Sequence, residues 1–353
     1  MNKADLFALI DQIEQRSHLT QAQRDQLLAG VDSPWWLSVL LGLAAWVASL
    51  FLIGSLLGPS MVLLEGPLAM GVAGLLLLGG GLWLFGRPGV FREQMGLAFA
   101  LAGQGLLVYV LADSMGPTEP LRSAASFCLP LSAALLLAPG PTLYHRVCGL
   151  LVLGSIAVLL QSGPGLALFG LLLAGVATSS WLLRSRWASG RQASRRRALT
   201  DAATLIALLL ALYGHQGLLE ALTGHMFVAA APPGVWLLIH AGPGVLLLLT
   251  LGWLLRGQSM GMRSAALLAA GLLVLLTYQA PGLLISCALG LAVVHASSRS
   301  WSLAVPAFGL VYLGEFYYSL HLSLLHKSLL LCASGLLLLG IRQGLLRLFW
   351  SRA

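Results

Sequence analysis

Few side chains in this sequence could do chemistry, and the tightest group is Gly314-Glu315-Phe316-Tyr317-Tyr318 with His321, His326 and Lys327 behind it. A carboxylate close to two histidines and a lysine has the composition of a proton-linked site. The plainer reading is an interfacial hairpin, with Tyr317 and Tyr318 at headgroup depth and Lys327 opening the next apolar span. His321 and His326 also suggest metal. Five residues apart, however, they fall on different helical faces with no third ligand fixed nearby, so neither metal nor cofactor is expected. Gln104 lies in the middle of an apolar span, where it can hydrogen-bond a neighbouring helix; such contacts contribute about 0.6 kcal/mol. His240 precedes Gly242-Pro243-Gly244. That sequence either unwinds a span and exposes its carbonyls or kinks it around a satisfied histidine. The chain has no Ser-His-Asp grouping, H-E-x-x-H, Walker loop or Gly-x-Gly-x-x-Gly before a helix, so no enzyme is expected.

The elements that must carry these residues are apolar helices. Hydrophobic residues make up 58% of the chain and charged residues 9%, against about 25% charged in soluble domains. The pattern is all-α: a polytopic helical membrane protein of about twelve spans. They cover roughly residues 35–57, 68–85, 95–112, 123–138, 147–161, 165–183, 200–222, 235–255, 264–278, 282–296, 301–317 and 327–341. Gly86-Arg87-Pro88-Gly89, Pro139-Gly140-Pro141, Gly163-Pro164, Pro232-Pro233 and Pro281 punctuate them. Several late spans fall short of the usual ~20 residues, so ten to twelve crossings are expected, thin or partly re-entrant at the end. Residues 1–33 form a polar head. Leu6, Phe7, Ile10 and Ile13 recur at helical spacing, and Thr20 with Gln23 reads as a capping box for a second short helix. This head carries acids, so the first apolar run is expected to act as an uncleaved insertion signal. The bundle covers 34–342 and a short basic tail 343–353.

Charge gives the orientation. With the N-terminus cytoplasmic, 18 of the 20 Lys and Arg residues fall on the cytoplasmic side, Arg122 and Lys327 being the exceptions. Both termini are therefore expected inside. Six arginines lie in one loop, 184–198, which suits anionic lipid headgroups. Charge that flanks spans in this way does not point to nucleic acid, despite the formal +8. Cys128, Cys148, Cys287 and Cys332 sit in apolar spans with no C-x-x-C spacing and read as small packing residues.

Leu150-Leu151 through Pro164-Gly165-Leu166 realigns with Leu267-Leu268 through Pro281-Gly282-Leu283 at an offset of 117, with Gly154 on Gly271. Gln104-Gly105-Leu106-Leu107 recurs as Gln216-Gly217-Leu218-Leu219 at an offset of 112. Together these suggest a parallel four-helix duplication, spans three to six repeated as seven to ten. The layout resembles that of major facilitator transporters. Those repeat every six spans, however, and Gly86 to Arg92 lacks the acid of their glycine-arginine signature.

Two segments carry a closer likeness: Pro34-Trp35-Trp36-Leu37-Ser38-Val39-Leu40-Leu41-Gly42-Leu43-Ala44-Ala45-Trp46, and Leu313-Gly314-Glu315-Phe316-Tyr317-Tyr318 continuing to Leu324-Leu325-His326-Lys327-Ser328. With the polar head and the length, they resemble a bacterial polytopic membrane family known as domain of unknown function 4401. The resemblance implies a bacterial inner-membrane setting and supplies no catalytic residues. Two functions are expected from different classes. One is a non-enzymatic membrane assembly or envelope component, with a membrane-protein partner or a second copy of itself. The other is a small-solute or proton-coupled transporter using Glu315 and its neighbours.

Overall fold

The computed structural model describes residues 35–63, 67–87, 89–116, 120–160, 163–188, 192–213, 233–278 and 280–319, with six single residues beyond them. Among the described residues the fold is all-α. The helices are α1 (Trp35–Leu63), α2 (Pro67–Phe85), α3 (Val90–Asp113), α4 (Pro120–Leu137), α5 (Thr142–Leu160), α6 (Gly163–Leu182), the single turn α7 (Arg184–Trp187), α8 (Ala193–Tyr213), α9 (Pro233–Leu254), α10 (Met260–Leu276), α11 (Pro281–His295) and α12 (Arg299–Ser319). Among the described residues, six helical segments are long and apolar enough to cross a membrane: α2, α3, α4, α5, Pro164–Leu182 within α6 and Leu237–Leu254 within α9. Leu40–Leu52, α10 and α11 are shorter apolar helices. Large apolar side chains stand exposed along them, Leu43, Phe51, Leu68, Leu76, Leu172 and Leu249 among others. Lipid tails would cover such a surface. The polar head, the end of the seventh predicted span and most of the twelfth predicted span lie outside the described residues.

The chain divides into two compact units. The first holds α1 to α3. Here α2 and α3 pack antiparallel at backbone distance, because Gly74 and Gly81 on one face Gly96 and Gly103 on the other. A Cβ on Gly81 would stand under 3.0 Å from Ala100 N and Gly96 O, and one on Gly103 under 3.0 Å from Leu78 N and Gly74 O. Each pair is seven residues apart, so both glycines of a helix share one stripe. Close approach of this kind replaces the hydrophobic drive that helices lack in lipid. α1 joins through the Trp46 indole, which donates to Gln94 Oε1 at 3.3 Å.

The second unit holds α4 to α12. Its core lies where α6, α8, α11 and α12 meet. Leu173, Ala174, Ala177 and Trp181 come from α6, Ala203, Ala207 and Leu208 from α8, Ile285, Leu289, Ala292 and Val293 from α11, and Val305 from α12. α9 packs against α6, α10 and α11. It runs as one helix through Pro243, so Gly242-Pro243-Gly244 does not unwind it. The two glycines are there for contact: a Cβ on Gly242 would strike Leu171 of α6, and one on Gly244 would strike Val274 of α10.

Candidate functional site: a polar clasp at the basic end of the second unit

Helix direction alternates, so one end of the second unit collects the starts of α5, α8, α10 and α12 and the ends of α4, α6, α9 and α11. α5 and α8 run parallel from this end. Their first residues are tied by Thr142 Oγ1 and Ser194 Oγ at 3.1 Å. Their seam is lined with small residues, Gly149 facing Ala198 and Ala202. That close seam lets a side chain on one helix reach a side chain on the other. Just above Thr142 and Ser194, Arg146 Nε stands 2.8 Å from Asp201 Oδ2. The contact is an ion pair at an angle too oblique for a directed hydrogen bond. Asp201 is 7% exposed, whereas the Arg146 side chain is 35% exposed. The second carboxylate oxygen, Oδ1, accepts from the Trp301 indole of α12 at 2.8 Å. One carboxylate therefore holds three helices. A buried charge needs such partners, because unpaired it would be too costly to keep.

Trp301 reaches Asp201 because of the turn before it. α11 ends in a Schellman motif. Ser297 N donates to Val294 O at 3.0 Å and Ser298 N to Val293 O at 3.3 Å. Ser297 sits at φ 55, in the left-handed region where glycine is usual. The Ser302 hydroxyl then bonds Ser298 O at 2.8 Å in the first turn of α12. A non-glycine held in that conformation, four residues before the tryptophan that meets the buried charge, is the kind of strain that gathers at functional places.

Arginines close two of the helix ends gathered here. Carbonyls in the last turn of a helix have no partner of their own and carry partial negative charge. Arg184 Nη1 donates to Ala296 O at the end of α11, 2.6 Å away. Arg195 Nη2 donates to Leu137 O at the end of α4, 2.7 Å away. His145 Nε2 contacts Ala138 O at 3.0 Å. Below the clasp, the buried Trp181 indole donates to Thr204 Oγ1 at 2.9 Å, and Thr204 donates to Thr200 O at 2.7 Å. Arg184 also lies over the Trp181 ring at 5.9 Å. The half-buried Arg146, Arg184 and Arg195 and the buried Asp201 are thus committed to holding the helices in place.

None of the predicted site residues that the structure describes belongs to this clasp. Gln104 is buried on α3 beside Gly103, in the first unit. His240 is half-buried on α9. Glu315 and Tyr317 are half-buried in the last turns of α12, and Tyr318 is exposed. The Tyr317 and Tyr318 rings meet edge to face at 5.6 Å. α12 packs on α11 and α8, and α9 on the other flank of α11, so His240 and Glu315 stand on helices with α11 between them. His321, His326 and Lys327 lie outside the described residues. Among the described residues no group of three His, Cys, Asp or Glu could hold a metal ion. Nearer the Glu315 end, Tyr312 lies flat against the Gly282 backbone, where any Cβ would overlap its ring. Asp201, Arg146 and Trp301 were not among the residues singled out from the sequence.

Among the described residues, an all-α fold with six membrane-compatible helices and large apolar side chains exposed along them is that of a helical membrane protein. It belongs to the family described as domain of unknown function 4401, whose model matches residues 34–348. No curated protein matches the chain.

Proposed function

We propose that this is a non-enzymatic component of a bacterial inner-membrane assembly. In this reading it is a twelve-span bundle descended from a four-helix duplication, with both termini cytoplasmic and the clasp end facing the cytoplasm. The observation that carries the reading is the clasp itself. The buried carboxylate and the half-buried arginines of the second unit are committed to neighbouring helices, an arrangement that suits a rigid platform. The polar head 1–33 is then the segment that meets a membrane-protein partner, or a second copy of the chain. Affinity capture of the tagged chain from native membranes, with mass spectrometry of what accompanies it, tests this. A stoichiometric companion that disappears on deletion of 1–33 supports it. A chain that emerges alone both with and without 1–33 refutes it.

A second reading, a small-solute or proton-coupled transporter, draws on one observation. Glu315 is a half-buried carboxylate in the last turns of an apolar helix, where ionisable groups are costly and often functional. Reconstituted protein that moves a solute or protons and loses that activity on Glu315→Gln, while still inserting, would favour it over the platform.

A further inference from the structure

The arginines at the basic end of the second unit fall into two sets. Arg146, Arg184 and Arg195 are half-buried; Arg146 is ion-paired with Asp201, and the other two donate to Ala296 O and Leu137 O. Arg186, Arg196, Arg197, Arg256, Arg263 and Arg299 are exposed, and no hydrogen bond or ion pair to another described side chain holds them. Among the described residues the only acid at this end is Asp201. It is buried, and Arg146 already faces it. The exposed face therefore carries six positive charges and no described negative one.

These charges gather at the helix ends. Each lies within the first or last turn of a helix or in the short connection beside it: Arg186 in α7, Arg196 and Arg197 in the first turn of α8, Arg256 after α9, Arg263 in the first turn of α10, and Arg299 opening α12. Trp187, Trp253 and Trp301 stand at the same helix ends, half-buried. Arginine mixed with indole at the ends of apolar helices marks the plane of lipid headgroups. The bonded set fixes these ends: Arg195 pins the turn that bears Arg196 and Arg197, and Arg184 pins the connection that bears Arg186.

We propose that the basic end of the second unit is a docking surface for anionic phospholipid headgroups, with Arg186, Arg196 and Arg197 contacting the lipid phosphates. The ligand chemistry is a phosphodiester carrying net negative charge, set in a bilayer. Charge complementarity carries the assignment. A cation near an anionic membrane surface strengthens binding by about fivefold, and an arginine guanidinium fits a phosphate with two parallel bonds. This inference does not depend on the assembly reading, since platform and transporter alike would present this face to lipid.

The test uses the full chain, stripped of lipid in neutral detergent. It is titrated with dioleoyl phosphatidylglycerol, dioleoyl phosphatidylcholine or soluble glycerol phosphate, and bound lipid is counted by native mass spectrometry. The expected result is at least tenfold preference for phosphatidylglycerol over phosphatidylcholine. That preference should fall by tenfold or more in Arg186→Gln/Arg196→Gln/Arg197→Gln, with the melting temperature in phosphatidylcholine unchanged. Arg122→Gln, at the opposite end, should leave it intact. Equal binding of the two lipids, or a preference that survives the triple substitution, overturns the proposal. Full competition by glycerol phosphate also overturns it, because the ligand would then be a soluble anion. If the triple variant fails to fold, the single variants Arg196→Gln and Arg197→Gln, each expected to lose about fivefold, decide the matter.

Discussion

Asp201→Asn is the substitution that most directly interrogates the clasp. At 2.8 Å from Arg146 Nε, the charge attraction is about 6 kcal/mol at an effective dielectric of about 20. Much of that is offset. Asp201 gave up water to reach 7% exposure, and Arg146 remains 35% exposed and screened. A net loss of about 1–3 kcal/mol is expected, between the range for surface pairs and that for broken buried pairs. Asparagine keeps the shape and an oxygen for the Trp301 indole, so this value reports the charge alone. Asp201→Ala should cost about 1–2 kcal/mol more, because the indole N–H then loses its acceptor as well. The assay is equilibrium unfolding in mixed micelles, followed by circular dichroism, on a cycle of Asp201→Asn, Arg146→Gln and the double variant. A coupling of about 1–2 kcal/mol is expected. A coupling below about 0.5 kcal/mol, the level seen for independent sites, would refute the argument that burial makes this pair matter.

Three further outcomes follow from local geometry. Gly103→Ala should destabilise the first unit by about 2–3 kcal/mol, since its methyl group meets the α2 backbone, which cannot rotate away; loss of midpoint in the same unfolding titration checks it. Thr204→Val removes the acceptor of the buried Trp181 indole. It should cost about 1–3 kcal/mol and shift the Trp181 fluorescence, a change that Thr200→Val should not reproduce. Ser297→Gly relieves a left-handed backbone at φ 55 and should stabilise the protein by about 0.5–1 kcal/mol; an unchanged or lower midpoint would mean that the Ser297 side chain has a role of its own.

The helices were readable from sequence because apolar runs broken by Gly and Pro have few other foldings. The bounds Leu68 to Phe85 differ from the structure by one residue, whereas the helices at Val90, Thr142 and Ala193 begin five to seven residues before the predicted spans, in polar sequence that an apolar run does not mark. The glycine stripe was equally legible as Gly74/Gly81 and Gly96/Gly103, but a seven-residue recurrence is easily lost in a chain with 41 glycines. The clasp is another matter. Asp201 stands four residues after a run of three arginines, at the predicted start of a span, and so reads as a solvated loop acid. Its partners are 55 and 100 positions away, on helices whose neighbours no local pattern reveals. Periodicity reports which face of a helix is apolar. It does not report which other helix that face will meet, and a buried charge is defined by that meeting. His240-x-Gly242-Pro243-Gly244 shows the opposite case: a strong breaking signal that the fold absorbs, because the glycines serve helix contact and the missing N–H of Pro243 is tolerated within a packed bundle.

The order of the clasp along the chain has a consequence for biosynthesis. Arg146 is made before Asp201, whereas Trp301 follows it by 100 residues. At ribosomal speeds of about 5–20 residues per second, the indole arrives roughly 5–20 seconds after the carboxylate. Throughout that interval the acid already has a countercharge on the helix it packs against, so it need not enter the translocon's lipid environment bare. The late tryptophan then completes the carboxylate's set of partners. Nascent chains arrested before α12 should hold Asp201 neutralised but open to modification, and release of the last helices should close it.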